Sequence, residues 1–288
     1  MAFPRTARPL LPAIVLALVA PAQAEPPTPA HPAVPAQRPA TSGTGASRDP
    51  RAAPERIEVG SPLVDGTRLQ PYTNQWSMKV WTKDGRSNPN AGVWKDRLEA
   101  VRYAGRECWK RTQEATFRKK DGSLAAVHTT VNIVDRRTLE PLFREFRAQR
   151  ENAQAETTRI RFERGALRIE TTSEGKTEAR IAQSAPAFDY DGGLYAVLIA
   201  GLPLRPGFSA SFPSYSERER PEDVSWHLIQ VTGSETIQAG ALGTVDALVV
   251  SAESETGPLS YWLITRPPYV LRMDYTQPNG TRWILEVP

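Results

Sequence analysis

Arg159-Ile-Arg-Phe-Glu-Arg-Gly-Ala-Leu-Arg-Ile-Glu-Thr-Thr-Ser-Glu-Gly-Lys-Thr-Glu-Ala-Arg-Ile181 decides the fold class. Ile160 and Phe162 alternate with Arg159, Arg161 and Glu163, and Arg164-Gly165 then turns the chain. Leu167, Ile169 and Thr171 repeat the alternation against Arg168 and Glu170. Glu174-Gly175-Lys176 turns it again, before Ala179 and Ile181. A period of two with glycine-containing turns predicts an antiparallel three-strand meander with one apolar and one charged face.

The same period runs outward in both directions. Trp76, Met78 and Val80 alternate with Gln75, Ser77 and Lys79. Further strands are predicted at 96–103, 108–118, 124–134, 142–150, 208–215, 224–231, 244–252, 260–265, 270–275 and 282–287, with hairpin-grade turns at Asp121-Gly122 and Asn279-Gly280. One segment departs from the pattern. Gly192 through Leu204 is apolar nearly all round, which predicts a buried helix of roughly three turns, with Asp189 and Asp191 as candidate caps. A long one-sided sheet needs cover for its apolar face. The expected architecture is therefore mainly β, a curved antiparallel sheet (a half-barrel) wrapped around one buried helix.

The first residues bear on compartment. Arg5 and Arg8 precede an apolar run from Leu10 to Leu18, and Ala22-Gln23-Ala24 places small residues where a signal peptidase reads. Residues 1–24 are thus expected to be a signal peptide cleaved before Glu25, sending the chain to the periplasm. The run is too short to span a bilayer, and no later stretch is long and apolar enough, so no transmembrane helix is expected in the mature protein. Residues 25–60 are expected to form a Pro/Ala-rich disordered tether, because they hold few large apolar side chains to offset ordering entropy. Residues 61–288 are expected to fold as a single domain. The formal charge of +4 falls to +2 once Arg5 and Arg8 leave, and the basic residues are interleaved with acidic ones, which argues against nucleic acid as a partner. Cys108 is the sole cysteine, so no internal disulfide forms, and its position beside Trp109 in a strand predicts a small buried side chain.

No catalytic, metal or cofactor centre is expected. His31, His128 and His227 are scattered, and no His-x-x-x-His, Cys-x-x-Cys, Gly-x-Ser-x-Gly or phosphate-loop spacing occurs.

Four stretches carry a resemblance. They are Val134-Asp-Arg-Arg-Thr-Leu-Glu-Pro141; Tyr190-Asp-Gly-Gly-Leu-Tyr195 with Leu202-Pro-Leu-Arg-Pro-Gly207; Val231-Thr-Gly-Ser-Glu-Thr-Ile237 with Leu242-Gly-Thr-Val-Asp-Ala247; and Tyr261-Trp-Leu263 with Pro268-Tyr-Val-Leu-Arg272. Their order and spacing resemble the periplasmic family known as domain of unknown function 3108, which is in turn similar to the lipoprotein carriers of the LolA/LolB type. The resemblance runs from about Gln75 to Val287. It implies a half-barrel whose concave face is lined by apolar side chains and accepts an acyl chain or another amphiphile. The matching candidates for ligand binding here are Trp76, Met78, Phe162, Trp226 and Trp262. The expected function is thus that of a non-enzymatic periplasmic protein binding or carrying a lipid. The alternative is a structural or interaction module meeting other envelope proteins.

Overall fold

The computed structural model describes residues 53–189, 194–215, 220, 222–254 and 257–288. The expected signal peptide and residues 25–52 of the expected tether lie outside the described residues. The described part of that segment, residues 53–60, includes residues bound to the fold. Glu55–Arg56 forms strand β1 on the main sheet, and Ile57 is fully buried in the core. Ile57 also donates its backbone N–H to Ser211 O at 2.8 Å, so this short apolar anchor ties the segment down.

Eight strands follow in meander order. They are β2 (Tyr72–Trp81), β3 (Ser87–Tyr103), β4 (Arg106–Arg118), β5 (Leu124–Asp135), β6 (Pro141–Arg150), β7 (Glu156–Glu163), β8 (Ala166–Ser173) and β9 (Lys176–Gln183). Helix α1 (Leu194–Ala200) intervenes, and β10 (Ser209–Tyr215), β11 (Val224–Gln238), β12 (Thr244–Ser254), β13 (Gly257–Leu263), β14 (Val270–Thr276) and β15 (Arg282–Glu286) complete the fold. All belong to one open, curved sheet in the order β1-β10-β11-β12-β13-β14-β15-β2-β3-β4-β5-β6-β7-β8-β9. β1 runs parallel to β10, and every other pairing between these strands is antiparallel.

The main core gathers the inner face of β2–β4 and β10–β15 with α1. Trp76, Met78, Leu98, Phe212, Ile229 and Leu285 are among its fully buried members, as are Val197, Leu198 and Ile199 of the helix. α1 covers seven residues, about two turns rather than three. The chain leaves the helix at Gly201, whose N–H reaches back to Val197 O and Leu198 O, and Pro203 follows. The proposed cap Asp191 lies outside the described residues. Asp189 reaches across to β5 and β6, accepting from Asn132 at 2.8 Å and from Arg144 at 2.7 Å.

A tight crossing shows why one glycine is needed. A side chain at Gly92 (φ +154°) would meet Thr116 O at 2.0 Å and the Met78 methyl at 2.5 Å, so the β2–β3–β4 approach requires its absence.

The ends of the sheet approach each other without a strand ladder between β9 and β10. Phe188 donates its N–H to Pro213 O at 3.0 Å, and Tyr215 N–H returns to Phe188 O at 2.9 Å. A second cluster of Ile160, Leu167, Ile169, Ala187 and Tyr215 fills this seam, with Arg180 on Glu222 at 2.8 and 2.9 Å outside it.

One expected alternation fails in β9. The hairpin β8–β9 pairs Ser173 with Lys176, which sets Ile181 opposite Arg168 and Ala182 opposite Leu167. Ile181 therefore joins the charged face and is 59% exposed. In β7–β8 the same turn length pairs Ile160 with Ile169, so apolar meets apolar.

Candidate functional site

An outer cleft of about 650 Å³ opens on the far side of the sheet from α1. Its floor consists of two cross-strand rows on β2–β4. Thr73, Arg97 and Thr112 stand side by side in one, Gln75, Lys95 and Glu114 in the next. Alternation places these polar residues opposite the buried Trp76 and Leu98, hence outward. Lys95 meets Glu114 at 3.3 Å, and Arg97 meets Glu99 at 2.7 Å.

The facing wall is apolar. Ala239, Ala241 and Leu242 come from the β11–β12 turn, Pro268 from the β13–β14 turn, and Val287 and Pro288 from the segment after β15. Gly240 (φ +52°) holds this wall together, since a Cβ there would lie 1.6 Å from Pro288 O. Behind it a third cluster of Ala239, Ala247, Trp262 and Leu271, with Val245 and Val287 packed against it, anchors the turn to the outer face. Leu242 remains 37% exposed at the cleft.

The inner face carries a second polar arrangement, fully enclosed. Arg111 donates from Nε and Nη2 to the two carboxylate oxygens of Asp96, each at 2.7 Å, and Tyr72 adds its hydroxyl at 2.7 Å. Burial works against the Arg111 charge, but the Asp96 carboxylate more than restores it and raises the proton affinity of the guanidinium. Burial also pushes the Tyr72 phenol well above its ordinary range. Arg144 and Asp189 form the second buried pair.

The residues expected to bind a ligand do not gather at one place. Trp76 and Met78 sit together in the main core, 0% and 1% exposed, and the Trp76 indole donates to Val270 O at 3.2 Å. Phe162 lies in the seam, its ring centroid 5.1 Å from that of Tyr215. Trp226 is on the outer face, 45% exposed, with the Arg56 guanidinium 4.0 Å from its ring centroid. Trp262 is also outward, donating to Glu235 at 2.7 Å beneath Arg272. Strand parity explains the split, because the buried neighbours His227 and Tyr261 take the inner positions on β11 and β13.

Cys108 is fully buried, and burial raises its thiol pKa. Among the described residues, no three His, Cys, Asp or Glu side chains group as a metal site. No helix among them is long and apolar enough to cross a membrane.

An open barrel-like sheet with these features defines a class of β domain rather than a chemistry. Its residues 77–282 match the family described as protein of unknown function (DUF3108), and the chain belongs to that family. It is similar in fold to a β-barrel-like protein of domain of unknown function DUF1849 from Brucella abortus. The TM-score is 0.53 at 9% identity, covering 77% of this chain and 97% of that one. No curated protein matches it.

Proposed function

We propose that this chain is an exported, non-enzymatic binding protein that holds an amphiphile in the outer cleft. The observation that carries this is the cleft's two unlike walls: Ala239, Ala241, Leu242, Pro268 and Val287 face Gln75, Lys95, Arg97 and Glu114 across about 650 Å³. That volume falls within the roughly 300–1,000 Å³ of ordinary ligand sites. An acyl chain laid on the apolar wall gains about 0.8 kcal/mol per buried CH₂. A polar or anionic head meets Lys95 and Arg97. The concave side is the weaker place for a tail. There the sheet is taken as a half-barrel wrapped around α1, and Trp76 and Met78 have no space left beside them to fill. The leader-like residues 1–24 support a periplasmic location.

The test is a titration of the purified chain with a dansyl-labelled fatty acid, alongside mass spectrometry of lipids co-purifying from the native envelope. Saturable micromolar binding is expected, weakened about tenfold or more by Leu242→Asp with the unfolding midpoint unchanged. Absence of saturable binding and of any co-purifying lipid would overturn the proposal and favour a module that acts through envelope proteins.

A further inference from the structure

We propose that the inner face of β3–β5 contains an internal hydration site, a cavity between Trp94, Gln113 and His128 that takes a single neutral hydrogen-bonding molecule, water. The cavity follows from one cross-strand row. Trp94 on β3, Ala115 on β4 and His128 on β5 stand side by side, and the small Ala115 leaves a gap between two large ring systems. Gln113 and Thr130 are neighbours in the next row, and Phe117 completes the lining.

The polar groups around this gap have no protein partner. Trp94 Nε1, both side-chain atoms Nε2 and Oε1 of Gln113, and both ring nitrogens of His128 are unbonded, although these residues are only 6%, 2% and 5% exposed. Buried polar groups left in this condition are rare, because each gives up its hydration without a replacement hydrogen bond. The cross-strand partners of His128 are Ala115 and Ala148, and the rings of Phe117 and Phe146 flank it at 4.9 and 5.4 Å, so none of these four neighbours offers a side-chain hydrogen bond. The groups are complementary to water. Trp94 Nε1 and Gln113 Nε2 donate, while Gln113 Oε1 and an unprotonated His128 nitrogen accept.

Size and charge select the occupant. The cavity measures about 10 Å³, close to the space one water centre needs. None of its six lining residues is charged, so an ion would enter without a counter-charge. A metal would find a single imidazole there. Burial, and then the positive Arg150, hold His128 neutral with a pKa of about 4, which keeps a ring nitrogen available as an acceptor at neutral pH.

Water–protein cross-relaxation measured by NMR on the purified full-length chain tests the site. A cross-peak of ROE sign-pattern for a long-lived water is expected at the Trp94 indole proton, and it should vanish in Ala115→Val, which fills the gap. Ordered density within hydrogen-bond range of Trp94 Nε1 and Gln113 in a high-resolution crystal structure would agree. A wild-type spectrum without the cross-peak overturns the proposal, whether or not Ala115→Val folds. So does a cross-peak that survives in a folded Ala115→Val. A crystal structure in which Gln113 bonds His128 directly, or in which the density is that of an ion or larger solute, overturns it as well.

Discussion

The inner face of the sheet is built in two ways on either side of the β15–β2 pairing. On the β10–β15 side Ile229, Val231, Val250, Leu263 and Leu285 pack in one apolar cluster with α1, with His227 on β11 a buried polar exception. On the β3–β6 side Asp96, Arg111, Gln113, His128, Asn132 and Arg144 are buried to the same degree yet polar. The first half draws its stability from area removed from water, which is additive and tolerant of shape changes. The second half draws little net energy from its ion pairs, whose attraction is offset by desolvation. What it has is strictness. Arg111 meets Asp96 only in the register that pairs Leu98 with Arg111 and Asp96 with Gln113. A slip of β4 by one residue would turn Arg111 outward and Glu114 inward, leaving Asp96 buried without its partner.

The largest expected effect breaks the polar half. Arg111→Met leaves Asp96 with only the Tyr72 hydroxyl, and urea unfolding should show a loss of about 3–5 kcal/mol. Adding Asp96→Leu should recover most of that loss. A single variant costing less than about 1 kcal/mol would mean that the pair is solvated and that the two halves do not differ.

Next comes a pH dependence confined to the same half. Above about pH 6.5 His128 is neutral in both folded and unfolded chains, so its titration has no effect on stability. As pH falls from 6.5 towards its folded value of about 4, the unfolded chain takes up a proton that the folded chain refuses. Stability should therefore fall across that window by about 3 kcal/mol in total. The difference between wild type and His128→Gln, followed by denaturant unfolding at each pH, isolates this contribution from the carboxylates. A flat difference curve would refute it.

The smallest effect sharpens the apolar half. Ile229→Val removes one methylene from a fully buried side chain and should cost about 0.5–1.5 kcal/mol, independent of pH between 4 and 7. A pH-dependent penalty at this position would show that the halves are coupled.

Much of this fold was legible as a period of two. Every strand predicted from alternation has its counterpart, since polar–apolar patterning and turn glycines act locally. The face of each residue was harder. Ile181 was misplaced because register is set by the hairpin turn, and the bulges after Val231 and Trp262 shift register along β11 and β13. Trp226 and Trp262 are candidates for the concave face through the carrier resemblance, although His227 and Tyr261 hold the inner positions. The buried polar half went unread because arginine, aspartate and glutamine are ordinarily taken for a solvated face. A usable signal existed in β4, where Trp109, Arg111, Gln113, Ala115 and Phe117 share one parity. The outer cleft had no such signal, since it joins β2–β4 to a turn more than a hundred residues away.

The strand order has a further consequence for assembly. Strands β2–β9 and β10–β15 are each simple meanders, in which every strand pairs with its neighbour in sequence. The β15–β2 ladder joins the two, and Ser77 on β2 meets Glu286 on β15 across 209 residues of chain. The long-range strand ladders are thus confined to β15–β2 and β1–β10, and the loop-closure entropy of the sheet falls on those two pairings. At β15–β2 two edges, one from each meander, are sewn together, so neither strand is left with an unpaired edge there.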